Sequence, residues 1–125
     1  MLFDELIEQS EEIVILKILF QEISFFLEEG IEQIVYKAKV INVLKGNLVA
    51  EKEIKLITDR YFFLANKDGK QIVEEIDICI GGQFIGFLKS TSSNSGDFLN
   101  YQLTDRWLGI KETTPYIIHY IENQQ

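Results

Sequence analysis

His119 and Cys79 are the only histidine and the only cysteine in 125 residues, and they bound the chemistry the chain could carry out. A Ser-His-Asp or Cys-His arrangement would have to use His119 as its base. That residue lies in the terminal TPYIIHYIENQQ segment, opposite Ile117 and Ile121 if the segment is helical, and reads as a solvated or surface-packing side chain. A zinc site needs several His or Cys ligands, which one of each does not supply. Cys79 sits in the apolar run Ile76 to Ile80 and reads as a small core residue rather than a nucleophile. With a single cysteine no disulfide forms within the chain.

Carboxylates are more plentiful: Glu11 and Glu12, Glu28 and Glu29, Glu74, Glu75 and Asp77. Two carboxylates facing across a cleft could hydrolyse a glycosidic bond. Adjacent residues on a strand point to opposite faces, however, so these pairs read as solvated edges and turns. Asn94-Ser95-Gly96-Asp97 is a poor fragment of a calcium loop, which alternates acidic residues and ends in Glu. Gly81-Gly82 lacks the GKS/T ending and the following helix of a phosphate loop, and reads as turn glycines. No residue is assigned a catalytic, cofactor-binding or metal-ligating role, and no cofactor is expected.

Two stretches suit recognition instead. Tyr61 and Phe62 belong to an aromatic run, completed by Phe63, directly after Asp59-Arg60. Asp105, Arg106 and Trp107 form the most distinctive tripeptide, and Trp and Arg are favoured interface anchors. Tyr61, Phe62, Asp105, Arg106 and Trp107 are therefore the candidate protein-binding residues. The structural alternative is that Trp107 closes the bottom of a barrel under a terminal helix, with Asp105 and Arg106 as a local ion pair. Twenty acidic residues against twelve Lys and Arg leave a net charge of −8. Such a surface repels phosphate backbones, so nucleic acid is not an expected partner; a basic protein partner is compatible with the charge but not implied by it, and another protein is the partner these two stretches would suit. The same charge also serves solubility. The oligomeric state is left open.

These residues must be held by a single domain spanning 1–125, with 46% apolar and 12% aromatic residues to build a core. Leu2, Phe3, Leu6 and Ile7 predict a short amphipathic helix. The apolar run Ile13 to Phe26, rich in Ile and Phe, predicts a strand too long to be straight, with a bend near Gln21–Glu22. A second long strand is predicted from Glu32 to Leu44. In it Ile34, Tyr36, Ala38 and Val40 point one way, and a phase slip near Ile41–Asn42 implies a bulge. Glu53 to Thr58 alternates as a third strand with Ile54 and Leu56 inward. Tyr61–Ala65 and Gln71–Val73 flank a hairpin signal at Asn66-Lys67-Asp68-Gly69. Gln83 to Lys89 and Tyr101 to Leu103 are further strands, and Ser90 to Asp97 is a surface loop. Thr114 followed by Pro115 predicts the start of a C-terminal helix with a Tyr116, Ile117, Tyr120, Ile121 stripe; a last strand is the alternative.

The expected fold is mostly β, a five- to six-stranded OB-like barrel flanked by a short helix at each end. No apolar stretch is long enough for a membrane-spanning helix. MLFDELIEQS has neither the basic start nor the apolar run of a signal peptide. The expectation is a cytoplasmic chain, or an extracytoplasmic one whose leader is not part of this sequence.

The order of motifs resembles the netrin-like, or tissue-inhibitor-of-metalloproteinases-like, group of OB-type barrels, and its uncharacterised bacterial members in particular. LIEQSEEIVILKILF is similar to the leading helix and first strand of that group. Ala38, Val40, Val43, Leu44, Lys45 and Gly46 match its Val-rich strand ending in Leu-Lys-Gly, and Gly82, Phe84, Ile85, Phe87 and Leu88 match its later strand. The resemblance spans about Leu6 to Leu103, with a poor match across Arg60 to Ile78. It implies a netrin-like barrel acting as a binding module. Inhibitors of the group chelate a protease zinc through an N-terminal cysteine, and this chain has none before Cys79, so no functional residue carries over. A small acidic immunity or inhibitor protein covering a basic toxin surface is the other reading compatible with size and charge.

Overall fold

The computed structural model of the chain describes residues 2–28, 31–61, 78–91, 100–105 and 109–124, and the side chains of all of these except 25–28, 31, 60 and 61. Helix α1 (Phe3–Gln9) leads into β1 (Glu12–Glu28), β2 (Ile31–Lys45), β3 (Glu53–Tyr61), β4 (Gln83–Ser90), β5 (Asn100–Leu103) and β6 (Ile110–Glu112). Helix α2 (Pro115–Asn123) closes the order. The strands run β1-β2-β3-β5-β4 around a barrel that closes by pairing β4 with β1. All neighbours are antiparallel except β3 and β5, which pair in parallel over three residues. Strand β4 gives one edge to β1. It divides the other between β6, from Phe84 to Gly86, and β5, from Leu88 to Ser90. The fold is thus mostly β, a closed five-stranded barrel with one extra strand and two short helices, as expected.

Burial on two faces explains why the early part of β1 reads as a continuous apolar run rather than an alternation. Val14, Leu16 and Ile18 point into the barrel with Ile34, Tyr36, Ala38, Val40, Ile54 and Leu56. Ile13 and Ile15 point the other way, into a second core with Leu6 and Ile7 of α1 and Ile121 of α2. Strand β4 repeats the arrangement: Phe84 and Leu88 face the barrel, Ile85 and Phe87 the helices. Between them Gly86 lets the wall close up, since a β-carbon there would stand 3.0 Å from Leu16 Cδ1.

Bulges convert the long hairpin into a barrel wall. The β1–β2 register shifts where Ile41 and Leu44 have no partner, so Val40 and Val43 both serve the barrel while Ile41 and Leu44 serve the helical core. This is the phase slip read at Ile41–Asn42. Further shifts fall between Ile18 and Phe20 and between Gln21 and Ile23, at the expected bend.

Helix α2 begins as Thr114-Pro115 predicts: Ile117 N–H donates to Thr114 Oγ1 at 3.3 Å and Pro115 occupies the first turn. Its inward stripe is rotated from the expected one. Ile118 packs on the helical core, whereas Tyr116 is 79% exposed. In α1 Leu2 is only the N-cap, 71% exposed, while Leu6 and Ile7 are buried. Strand β6 was not expected; three residues are too few to show a period.

Cys79 requires a correction: it is exposed, as is the neighbouring Ile80. Residues 79–82 are a turn, in which Gly81 has φ +82°, Gly81 N–H donates to Ile18 O at 2.6 Å and Gly82 N–H to Cys79 O at 3.0 Å. The apolar run therefore ends in a rim turn rather than continuing into the core. The expected hairpin around 66–69, the Ser90–Asp97 loop beyond residue 91, and Glu29, Glu74, Glu75 and Asp77 lie outside the described residues.

Candidate protein-binding surface on β1, β2 and β3

The strand alternation that buries one side of β2 and β3 places the other side of both strands, and of the middle of β1, on the outside of the barrel. Cross-strand registers order these outward residues into rows. Lys17, Lys39 and Glu53 form the first row; Phe20, Lys37 and Lys55 the second; Ile23, Val35 and Ile57 the third. Gln33 and Asp59 follow. Phe20 is 49% and Ile23 54% exposed, while Val35 and Ile57 are half-buried beside them. This apolar strip belongs to neither core, and the helices pack instead on Ile13 and Ile15 of β1, Ile41 and Leu44 of β2, and Ile85 and Phe87 of β4.

Two like-charge pairs stand directly opposite one another, Lys17 with Lys39 and Lys37 with Lys55, an arrangement that destabilises a sheet unless offset. Carboxylates offset it. Lys39 Nζ lies 2.5 Å from Glu51, Lys55 Nζ 3.2 Å from Glu22, and Lys37 Nζ 3.9 Å from Glu53. The hydrogen bond and charge of Glu51 hold the Lys39 ammonium above its usual pKa. Glu51 reaches Lys39 from a left-handed backbone (φ 74°) in the β2–β3 turn, where Glu51 N–H donates to Val40 O at 2.7 Å. Lys17 makes no ion pair among the described residues.

A groove of about 220 Å³ adjoins this face. It opens because the parallel pairing of β3 and β5 ends at Ile57 and Gln102. Beyond that point the chain after β5 stays bonded to β4, where Thr104 N–H donates to Phe87 O, while β3 continues to Tyr61 without it. Gln33, Ile57 and Asp59 belong to both the groove and the face; Lys89, Gln102 and Thr104 line its far side. Apart from Ile57 and Leu103 the groove is lined by polar side chains, which suit hydrogen bonding to a docked chain.

The candidate residues drawn from the sequence fall elsewhere. Phe62, Arg106 and Trp107 lie outside the described residues, and so does the side chain of Tyr61, whose backbone ends β3 opposite Ile31. Asp105 is half-buried, and its carbonyl accepts Gly109 N–H at 2.7 Å. A β-carbon on Gly109 would press to 2.5 Å from that oxygen, so this glycine makes the tight approach possible. Phe20 and Ile23 do not stand out in the sequence because they lie in a continuous apolar run with no period to separate exposed from buried positions. The signal that could have found them is the expected bend beside Gln21–Glu22, which turns the strand out of the core.

The polar residues weighed for chemistry have structural partners. His119 Nε2 is 3.0 Å from Asn123 Nδ2 on the exposed side of α2. Glu11 accepts from Ser90 Oγ at 3.0 Å. Glu12 is not solvated, contrary to expectation. It is buried, and its carboxylate accepts Asn47 N–H at 2.8 Å and Leu48 N–H at 3.2 Å. Inside the barrel, desolvation and then the charges of Glu12 and Glu11 hold the Tyr101 phenol above its usual pKa. Among the described residues no three His, Cys, Asp or Glu side chains gather as metal ligands, and no helix is long and apolar enough to cross a membrane. Compared with known proteins, the chain matches no protein-family model and no curated protein.

Proposed function

We propose that this chain is a non-enzymatic binding module whose partner is a protein docking on the outer face of β1, β2 and β3. The observation that carries this reading is the exposure of Phe20 and Ile23 in register with Val35 and Ile57, inside a rim of lysines and carboxylates. An apolar centre with a polar rim is the anatomy of a protein interface. The strand order is compatible with an OB-like barrel. The netrin-like branch is the finer version of this reading. It is supported by framework residues such as Ala38, Val40, Phe84 and Leu88, which line the barrel, and by no functional residue.

The test uses immobilised wild-type chain and a Phe20→Glu/Ile23→Glu variant with the same melting temperature as baits in a lysate of the source cells. A protein held by the wild type and lost by the variant supports the proposal. Equal recovery by both, or none above bare resin, overturns it. Turnover of generic ester, phosphate or glycoside substrates that vanishes in His119→Ala would overturn the non-enzymatic part.

A second reading has its own observation. Asp4, Glu5 and Glu8 of α1 and the adjacent Glu11 are all exposed, as an acidic inhibitor covering a basic toxin surface would require. Charge reversal of Glu5 and Glu8 would then abolish capture of a basic partner, and Phe20→Glu would not.

A further inference from the structure

We infer that the groove between β3 and β5 is a pocket for one arginine side chain of the docked protein. This rests on the reading of the β1–β3 face as a protein-binding surface and names the partner group that anchors to it.

The donors and acceptors of the groove select the guanidinium. Ser10 has one O–H, and its Oγ donates to Leu6 O at 2.6 Å. The 2.9 Å contact between Ser10 Oγ and Thr104 Oγ1 is therefore made by the Thr104 proton. Thr104, on the groove wall, is left with lone pairs alone. Thr58 repeats the pattern, since its Oγ1 donates to Ile34 O at 3.4 Å. Neither groove hydroxyl thus has a proton for a ligand, and the Asp59 carboxylate has none either. A carboxylate has about four acceptor sites, so Asp59 takes a ligand in addition to any contact within the chain. The carboxamides of Gln102 and of Gln33, which stands opposite Asp59 in register, turn to present either end.

An acceptor-rich wall calls for a donor with several N–H groups in a fixed plane. A guanidinium has five and no acceptor, and it pairs with a carboxylate through two parallel hydrogen bonds. An ammonium has three donors on a point charge and leaves more of these acceptors unmet. An anion would face the acceptors of Asp59 and Thr104, with Lys89 as its only cation in the groove. Lys89 lies across Gln102 from Ile57 in the strand register, on the far side, and its charge keeps the guanidinium at the β3 wall.

Size and place agree. The groove holds about 220 Å³, less than the ~300–1,000 Å³ of a pocket for a whole small molecule, which fits one side chain rather than a free cofactor. Ile57 belongs both to the groove and to the apolar row with Ile23 and Val35, so an arginine stem lies on Ile57 while its head reaches Asp59. Arginine is a favoured anchor of protein interfaces. The net charge of −8 favours a cation over an anion in the encounter.

Titration of the wild-type chain with N-acetyl-argininamide to about 20 mM, followed by amide NMR, tests this and needs no variant to fold. Saturable shifts are expected at Gln33, Asp59, Gln102 and Thr104, weaker with N-acetyl-lysinamide and absent with the amide of N-acetylglutamate. Asp59→Asn abolishes them, Lys89→Gln strengthens them, and Tyr116→Glu on the helical side leaves them unchanged. No saturable shift, shifts that survive Asp59→Asn, or binding of the glutamate amide that Lys89→Gln removes overturns the inference. A protein captured through Phe20 and Ile23 is expected to bind Asp59→Asn at least about tenfold more weakly. If it binds that variant as tightly as wild type, the arginine pocket is wrong and the protein-binding reading stands. If the titration succeeds but Phe20→Glu/Ile23→Glu loses no protein, the reading of the face falls and the groove keeps its guanidinium specificity.

Discussion

The Glu12 carboxylate and the α-carbon of Gly46 interlock across the start of the β1–β2 hairpin. Glu12 accepts the N–H groups of Asn47 and Leu48, and a β-carbon on Gly46 would collide with the carboxylate. Gly46 also has φ +112°, a conformation that L side chains rarely adopt. The buried acid thus replaces a strand partner for the turn that follows β2.

Removing that acid leaves two backbone donors without it. Glu12→Ala is expected to cost about 1–3 kcal/mol in urea unfolding, and Gly46→Ala a similar amount from collision and backbone strain. The double variant is expected to cost less than the sum, because the first change removes what the second would strike. Strict additivity would show that the two residues do not interact.

Lys45 closes the C-terminal end of α1 from β2. Its Nζ donates to Ile7 O at 2.8 Å and to Glu8 O at 3.2 Å, where orphan carbonyls and the helix dipole favour a cation. Lys45→Met is expected to cost about 0.5–1 kcal/mol and to speed amide exchange at Leu6 and Ser10, which belong to α1 and its C-cap. Unchanged exchange in α1 would remove this role.

Glu51 sits in a strained left-handed conformation and pairs with Lys39 on the surface. Backbone strain of about 1 kcal/mol or more outweighs an exposed ion pair of about 0–1 kcal/mol. Glu51→Gly is therefore expected to leave stability unchanged or to raise it slightly. A clear loss of stability would give the Lys39 pair more weight than exposure allows.

Tyr120 OH donates to Asp4 Oδ1 at 2.5 Å, tying α2 to α1. That hydrogen bond, then desolvation and the charge of Asp4, raise the Tyr120 pKa above 10.0. A raised folded pKa means that the contribution is complete below the unfolded value near 10 and is lost as pH rises through the folded value. Wild-type stability is expected to fall on the alkaline side of pH 10, more steeply than that of Tyr120→Phe. Parallel profiles would show that this phenol contributes nothing to alkaline unfolding.

The rotation of α2 is tested by comparing two of its neighbours in sequence. Ile118→Ala, on the packed side, is expected to cost about 1–3 kcal/mol, and Tyr116→Ala less than about 0.5. The reverse order would restore the stripe read from the sequence.

Strand positions were legible because their period is local. Alternation in 34–40 and 54–56 named the barrel-facing side chains, the slip after Val40 located a bulge, and Thr114-Pro115 located a helix start. Each depends only on residues a few places apart. Hydrogen bonding and rim geometry were not legible in the same way. Glu12 reads as one of two adjacent acids until residues 35 and 36 places later bring their N–H groups to it. Cys79 reads as core until Gly81 turns the chain at the rim against Ile18.

The pattern of apolar residues along this chain suffices for a strongly bent, mostly β fold with terminal helices, since backbone period and turn chemistry are encoded within each segment. Which apolar residues stay wet was decided only when the sheet closed. Helices α1 and α2 cover β1 and β4, so Ile13 and Phe87 are buried while Phe20 and Ile23, in the same runs of sequence character, remain outside. Burial is a property of what packs against a face, and that neighbour comes from distant parts of the chain.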